Sequence, residues 1–402
     1  MMQRIIYRLL FISIVSSFFL GNYVLENIGV PYVSNGGSPV FKIHIYSYII
    51  ITCFIFILYS QGVNNILLQL GDMWRCWLLA MTSISTIIFY GMYRFGSSGM
   101  AYMVDTFLVP FLFFSLVMFL SRNERDKLVD LILYLFIINC IIAIVEYLAK
   151  ISLVGAQFSS FSHFRSTALI SHPLSNALFT AVISISLFIS YRSYLPVLLC
   201  ISTLSLFAFG GRGSMAAFLI GCLLLYLPFL FRILTGKVKV HRYKFSILLF
   251  FSYILVYLLA YILIESGITS RIIEKLYIDN SATARFDVFI LLEEMSLLEL
   301  ILGASHDFLD NIFYISGVLV IENYFIDWIV KYGLIFAVFF SLAIYFFMLR
   351  ASSNYTHYIM ILVLWVASIT NNSLGTKTPI LIYVFTLLAV EYKNKYEESK
   401  ND

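Results

Sequence analysis

Residues Leu128 to Leu148 read LVDLILYLFIINCIIAIVEYL. A helix needs roughly 20 mostly apolar residues to cross the hydrocarbon of a bilayer, and this run supplies them. Lipid offers no water to the backbone, so such a segment must satisfy its own N–H and C=O groups as a helix. Comparable runs recur on both sides of it. Of 402 residues, 61% are apolar and 12% charged, against about a quarter charged in an ordinary soluble domain. A water-soluble fold could not hide this much apolar surface. The formal charge of +4 is too small and scattered to indicate nucleic acid. Aromatics make up 17% of the chain, and many sit near segment ends, where amphipathic rings favour the membrane interface.

The expected fold is an all-α polytopic membrane protein. About twelve spanning helices are expected. They fall near 4–21, 44–60, 74–92, 102–120, 128–148, 168–190, 194–210, 213–231, 245–264, 322–349, 356–372 and 376–391. This divides the chain into a bundle over 1–264, a large loop over 265–320, a last group of helices over 321–391, and a tail over 392–402. Arg4 and Arg8 precede the first run, and Gly21-Asn22-Tyr23 after it is a poor cleavage site, so an uncleaved first helix is expected. No internal repeat or low-complexity stretch is evident.

Lys and Arg in short loops set orientation. The strongest basic loop runs from Arg232 through Lys237, Lys239 and Arg242 to Lys244. The next holds Arg122, Arg125 and Lys127. Arg4 and Arg8, and Lys393, Lys395 and Lys400, flank the first and last helices. Twelve helices put all four clusters on one side, expected to be cytoplasmic, with both termini inside. The other side then carries the 22–43 loop, the 149–167 loop, the Gly210–Gly213 turn, the 265–320 segment and the 371–375 turn.

Several arginines on that second side stand beside breaks in helices. Arg165 begins the string Arg-Ser-Thr-Ala-Leu-Ile-Ser-His172-Pro173, in which Pro173 suits a first helical turn. Arg212 lies in Gly210-Gly211-Arg212-Gly213-Ser214. The glycines permit a tight reversal and close backbone approach to a ligand. The helix start that follows attracts anions, and a guanidinium fork suits phosphate oxygens. Arg285 follows Ser281 and Thr283, either of which could cap an amphipathic helix lying on the membrane surface. Its apolar positions include Phe286, Phe289, Ile290, Leu297 and Leu298. Glu293, Glu294 and Glu299 would face water, and Gly303 would end it. His306, Asp307 and Asp310 follow in a loop, and Glu322, Asn323 and Asp327 open the next spanning helix.

Each of these has a plainer explanation. Arginines at a membrane edge commonly anchor to headgroups. His172 beside a proline could satisfy a loop carbonyl, and His306 with Asp307 could be a solvated cluster. Asp105, Glu146 and Asp327 would mark interior-facing positions, where they could pack in polar pairs. Asp307 and Asp310 alone are a weak metal signal. The five cysteines, Cys53, Cys76, Cys140, Cys200 and Cys222, lie in or beside apolar runs without a CxxC pair, and read as small buried hydrophobes.

The order of these features resembles the Wzy-type polymerases of bacterial surface polysaccharide, the O-antigen polymerase family, which is related to the O-antigen ligases. The features are Arg165 with His172-Pro173, the Gly-Gly-Arg212-Gly-Ser turn, Arg285, Ile301-Leu302-Gly303, and Glu322-Asn323-Tyr324 running on to Lys331-Tyr332-Gly333-Leu334. The resemblance implies a GT-C-like bundle in the inner membrane with one large periplasmic loop carrying amphipathic helices. It implies a glycosyltransferase without metal or other cofactor. The partners would be undecaprenyl-pyrophosphate-linked glycans and membrane lipid, with a chain-length regulator left open. The glycan would pass en bloc from undecaprenyl pyrophosphate to a hydroxyl of the acceptor repeat unit. Arg212, Arg285 and Arg165 would then face the pyrophosphate, with Gly210, Gly211 and Gly213 as a backbone anion turn. His172, Glu322 and His306 are the candidate bases, in that order.

The chain also departs from the family pattern. Some polymerases carry Arg-x10-Gly in two external loops, and no external arginine here has glycine at that distance. Ligases usually place a His directly before the Asn or Glu that opens the helix after the large loop. Here Ile321 precedes Glu322-Asn323, which favours polymerase. The alternatives are therefore a ligase to lipid A-core and, from another class, a lipid-linked oligosaccharide flippase. Transporters tend to show two similar halves, and none are seen.

Overall fold

The computed structural model describes residues 2–34, 37–155, 164–170, 172–235, 253, 288–317 and 320–401. The expected helix at 245–264, the basic residues Lys237 to Lys244, and Ser281, Thr283, Arg285 and Phe286 lie outside the described residues. Within them every regular element is helical. The long elements are α1 (Met2–Phe19), α2 (Asn22–Asn27), α3 (Ile45–Leu70), α4 (Trp74–Gly99), α5 (Ala101–Val117), α6 (Arg122–Ala149), α7 (Pro173–Ser190), α8 (Leu195–Phe209) and α9 (Arg212–Leu234). Four short helices follow: α10 (Ile290–Glu294), α11 (Leu297–Leu302), α12 (His306–Asp310) and α13 (Ile312–Ser316). The chain closes with α14 (Tyr324–Tyr332), α15 (Leu334–Ala351), α16 (Tyr355–Ser368) and α17 (Ile380–Asn401).

Seven helical stretches among the described residues are long and apolar enough to cross a membrane, and one of these covers α3 and α4 together. Two further apolar helices, α5 and α16, are shorter. Among the described residues the protein is thus all-helical, with the long apolar helices of a membrane-embedded type. Its centre is formed by helices that are apolar on every side, the pattern of a helix surrounded by others. In α7 nearly every residue from Pro173 to Phe188 is buried, and in α17 the run Ile380–Val390 is buried throughout. Phe111 of α5 packs edge-on against Phe385 of α17 at 4.8 Å and tilted against Phe347 of α15 at 4.6 Å.

Several boundaries differ from expectation for local reasons. Helix α6 begins at Arg122 because Ser121 and Glu124 form a reciprocal capping box. Helix α7 begins only at Pro173, with His172 as its cap, so residues 168–170 belong to the preceding loop. The single helix expected over 322–349 is broken at Gly333, where φ is +83°. A side chain there would sit 2.1 Å from the Ile301 carbonyl oxygen and 2.6 Å from the Gly303 nitrogen. The amphipathic helix expected to end at Gly303 is two short ones, because Ser296 and Glu299 form a second capping box. His306, Asp307 and Asp310 lie on helix α12, capped by Ser305, and not in a loop.

The segment 288–317 has a small core of its own: Val288, Leu291, Met295 and Ala304 pack with Ile321, Ile326 and Val330. Arg94 of α4 ties it down by donating to the carbonyls of Leu302 (3.1 Å), Ala304 and Lys331. Gly303 and Gly333, far apart in sequence, therefore meet beneath one guanidinium. Gly333→Ala should cost about 1–3 kcal/mol from overpacking and strain. Thermal unfolding of the detergent-purified protein should show a lowered midpoint, and an unchanged one would remove Gly333 from this role.

Candidate functional site

The two ends of the bundle differ in character. At one, Arg125 of α6, fully buried, donates to Asn394 (3.0 and 2.7 Å), to Glu397 and to the Leu120 carbonyl (2.7 Å). Arg122 pairs with Glu398 at 3.1 Å, and Lys393 reaches Gln69 at 3.0 Å. Two of the basic clusters, 122–127 and 393–395, thus share this end. The residues expected as a tail after 392 continue α17 and are part of the clasp.

Helices α6 and α17 run from there to the opposite end, where the remaining connections interlock. Asn27 donates to the Val154 carbonyl (2.6 Å), Asn371 to the Leu174 carbonyl (2.7 Å), and Ser175 to Ser373 (2.9 Å). Thr106 donates to the Thr376 carbonyl at 2.8 Å. Asp105, fully buried, accepts from Tyr32 (2.7 Å), Ser47 (2.6 Å) and the His44 backbone. Lys377 donates to the Tyr32 carbonyl and lies 4.2 Å from that ring's centre. Burial lowers the Lys377 amine to about 8, with Asp105 opposing the shift. Asp105, Glu146 and Asp327 do not pair with one another. Asp327 holds Lys331 at 2.8 Å, and Glu146 binds backbone N–H groups and the Ser166 hydroxyl.

The glycine hinge belongs to this interlocked end. Gly210 ends α8 in the left-handed region at φ +69° and donates back to Leu206 and Phe207. A Cβ on Gly210 would lie 3.2 Å from the Nε of Arg165, so the arginine stem lies across the hinge. A Cβ on Gly211 would lie 2.5 Å from Ala177 of α7, and one on Gly213 would lie 1.7 Å from the Oγ1 of Thr370. The close approach that these glycines permit is therefore made by the protein itself, to α7 and to the turn after α16. For Gly211 and Gly213 this replaces the expected reason, approach to a ligand. Arg212, exposed, heads α9 from this fixed point, and Arg165 is half-buried beside it.

His172 caps α7 by accepting from the Leu174 N–H at Nδ1 (3.3 Å). A neutral ring that accepts at Nδ1 carries its proton on Nε2. Burial, and then the charge of Arg165, lower its pKa to about 4. Arg165, His172, Arg212 and Gly210 to Gly213 are thus brought together. Glu322, half-buried, precedes α14, whose cap is Asn323. Phe325 of α14 stacks on Trp365 of α16 at 5.6 Å, and α16 leads to Thr370 on the hinge. His306 lies apart, exposed on α12 with its ring edge-on to Phe95 of α4. Among the described residues no three His, Cys, Asp or Glu side chains gather as a metal site.

Reading the sequence missed Thr370, Asn371, Asn176 and Lys377, all of which hold this end together. The Asn371-Asn372-Ser373 cluster was a legible turn signal, whereas the Thr370 contact is visible only in three dimensions. No protein-family model, curated protein or solved structure matches the chain.

Two outcomes follow from the geometry. Gly213→Ala should prevent correct packing of α9, and adding Thr370→Gly should restore the yield of monodisperse protein on size exclusion. A double variant no better than the single one would show that the contact is not the cause. For His172 the folded pKa of about 4 lies below the ordinary 6.5. Its stabilising contribution is therefore complete above about 6.5 and lost as pH falls towards 4. Subtracting the pH–stability curve of His172→Asn from that of the parent should expose a slope confined to that window.

Proposed function

We propose that this protein polymerises lipid-linked oligosaccharide repeat units, as a metal-independent glycosyltransferase of the O-antigen polymerase type. The reading takes the chain as a GT-C-like inner-membrane protein of about twelve spans. Both termini are placed in the cytoplasm and the hinge end in the periplasm. The observation that carries it is the gathering of Arg165, Arg212 and His172 on one glycine hinge at one end of an apolar bundle. The order of sequence features supports the same reading.

The chemistry suits that arrangement. Transfer of the glycan breaks the bond between the anomeric carbon and undecaprenyl pyrophosphate and leaves negative charge on the diphosphate. Fixed guanidinium groups would stabilise that charge as it forms, and the dipole at the start of α9 adds to the same field. Arg165 is held across Gly210, so little reorganisation is needed. His172 would act as an Nε2–H donor to a phosphate oxygen. The proton of the attacking hydroxyl would then go to Glu322, which moves ahead of His172 in the expected order of bases. His306, exposed on α12 beside Phe95, is not used in this reading. Lipid tails lying against the bundle would keep donor and acceptor in one plane, a contribution of proximity.

Arg212→Ala should lower the rate of chain extension by roughly 10²–10³-fold, as for loss of one charge-stabilising donor at a transition state. Arg212→Lys should also fail where bidentate contact is required. The assay is gel analysis of glycans made by purified protein from lipid-linked repeat units. Normal long chains would remove Arg212 from the site. Relocation across the bilayer without lengthening would replace the reading with a flippase. Transfer to lipid A-core alone would replace it with a ligase.

A further inference from the structure

The carboxylate of Glu146 is buried near the end of α6 and is not used by the chemistry above. Its Oε1 accepts from the Leu153 N–H at 2.6 Å. Its Oε2 accepts from the Ser166 hydroxyl, from the Thr167 N–H at 3.0 Å and from the Ala168 N–H at 2.9 Å. One side chain thus binds both ends of the connection between α6 and α7. Ala168 has φ +44°, a backbone region that residues with a side chain rarely adopt. Its N–H donates to Glu146 and also to the Ser166 hydroxyl oxygen at 3.3 Å, itself bound to Glu146. The loop is pinned from outside as well: the Ser166 N–H donates to the Ala208 carbonyl (3.0 Å), just before the hinge, and Asn176 donates to the Thr167 carbonyl (2.6 Å).

Arg165 immediately precedes these pinned residues, and His172 lies just after them. We propose that Glu146 is a positioning residue: it fixes the 166–168 turn, and through it sets Arg165 across Gly210 and next to His172. The catalytic consequence rests on the polymerase reading; the placement does not. A carboxylate is required because four donors converge on two oxygens. A glutamine has one acceptor oxygen, and its NH2 group would face donors. Burial without water leaves the displaced N–H groups unsatisfied.

The test uses the full chain in lipid nanodiscs and compares the parent with Glu146→Gln, Arg165→Ala and the double variant Glu146→Gln/Ala168→Gly. Hydrogen exchange followed by mass spectrometry reads the amides of 166–168 without any substrate. Glu146→Gln should speed their exchange about tenfold or more, with the interior of α7 unchanged. In glycan extension it should lower kcat roughly ten- to a hundredfold and leave KM within about twofold, since Arg165 would be misplaced and not removed. Glycine at 168 adopts positive φ without strain, so the double variant should recover part of kcat. Unchanged exchange in Glu146→Gln would overturn the proposal whatever the activity. Faster exchange with parental kcat, while Arg165→Ala removes extension, would overturn it too. If the parent protein does not lengthen glycans, the polymerase reading fails alone, and the exchange result decides for or against Glu146.

Discussion

The arrangement at the hinge end depends on a contact that leaves no room for a side chain. Gly211 lies on Ala177 and Gly213 on Thr370, and one added carbon at either position would stand within 2.5 Å of a neighbouring atom. That contact fixes where α9 starts and hence where Arg212 stands. It also draws the turn after α16 against α7, where Asn371 and Ser373 complete the join. A membrane bundle gains little from apolar contact as such, because lipid tails are as apolar as leucine. Close backbone approach and satisfied polar groups must then give the ends of the helices their definition, and this end has both.

The two ends show different solutions to one problem. At the first, long basic side chains on α6 and α17 meet acidic and amide partners, so charge is neutralised where it is buried. At the second, helix ends and loops satisfy one another through polar side chains and backbone, with Asp105 and Glu146 as buried acceptors. The arginines there are treated differently from Arg125. Arg125 is wholly buried among partners, while Arg212 is exposed at a helix start and Arg165 is half-buried.

Much of this was legible in the residues. Apolar runs marked the helices, the glycines and Pro173 marked breaks, and Arg165, His172 and Arg212 stood out beside them. What could not be read was why those residues are there. The glycines pointed to close approach, but only the fold shows that Ala177, Thr370 and Arg165 make it. Ser121 with Glu124, and Ser296 with Glu299, were capping boxes in plain view, and missing them displaced two boundaries. Gly333 was in view after Lys331-Tyr332, but a lone glycine inside a helical pattern need not end the helix, so the break there shows only in the fold. His172 was named for its type, while its tautomer follows from the cap bond it accepts. Glu146 looked like one more interior carboxylate, because three of its four donors are backbone groups that sequence does not display.

All of the proposed chemistry requires the hinge to face the compartment where lipid-linked repeat units are joined. The most direct test replaces Arg212 with cysteine in a variant lacking the native cysteines and treats intact spheroplasts with a membrane-impermeant maleimide. Labelling from the outside, at a site silent in inside-out vesicles, is the expected result. Labelling only in inside-out vesicles would put the arginine pair on the cytoplasmic face and contradict the account.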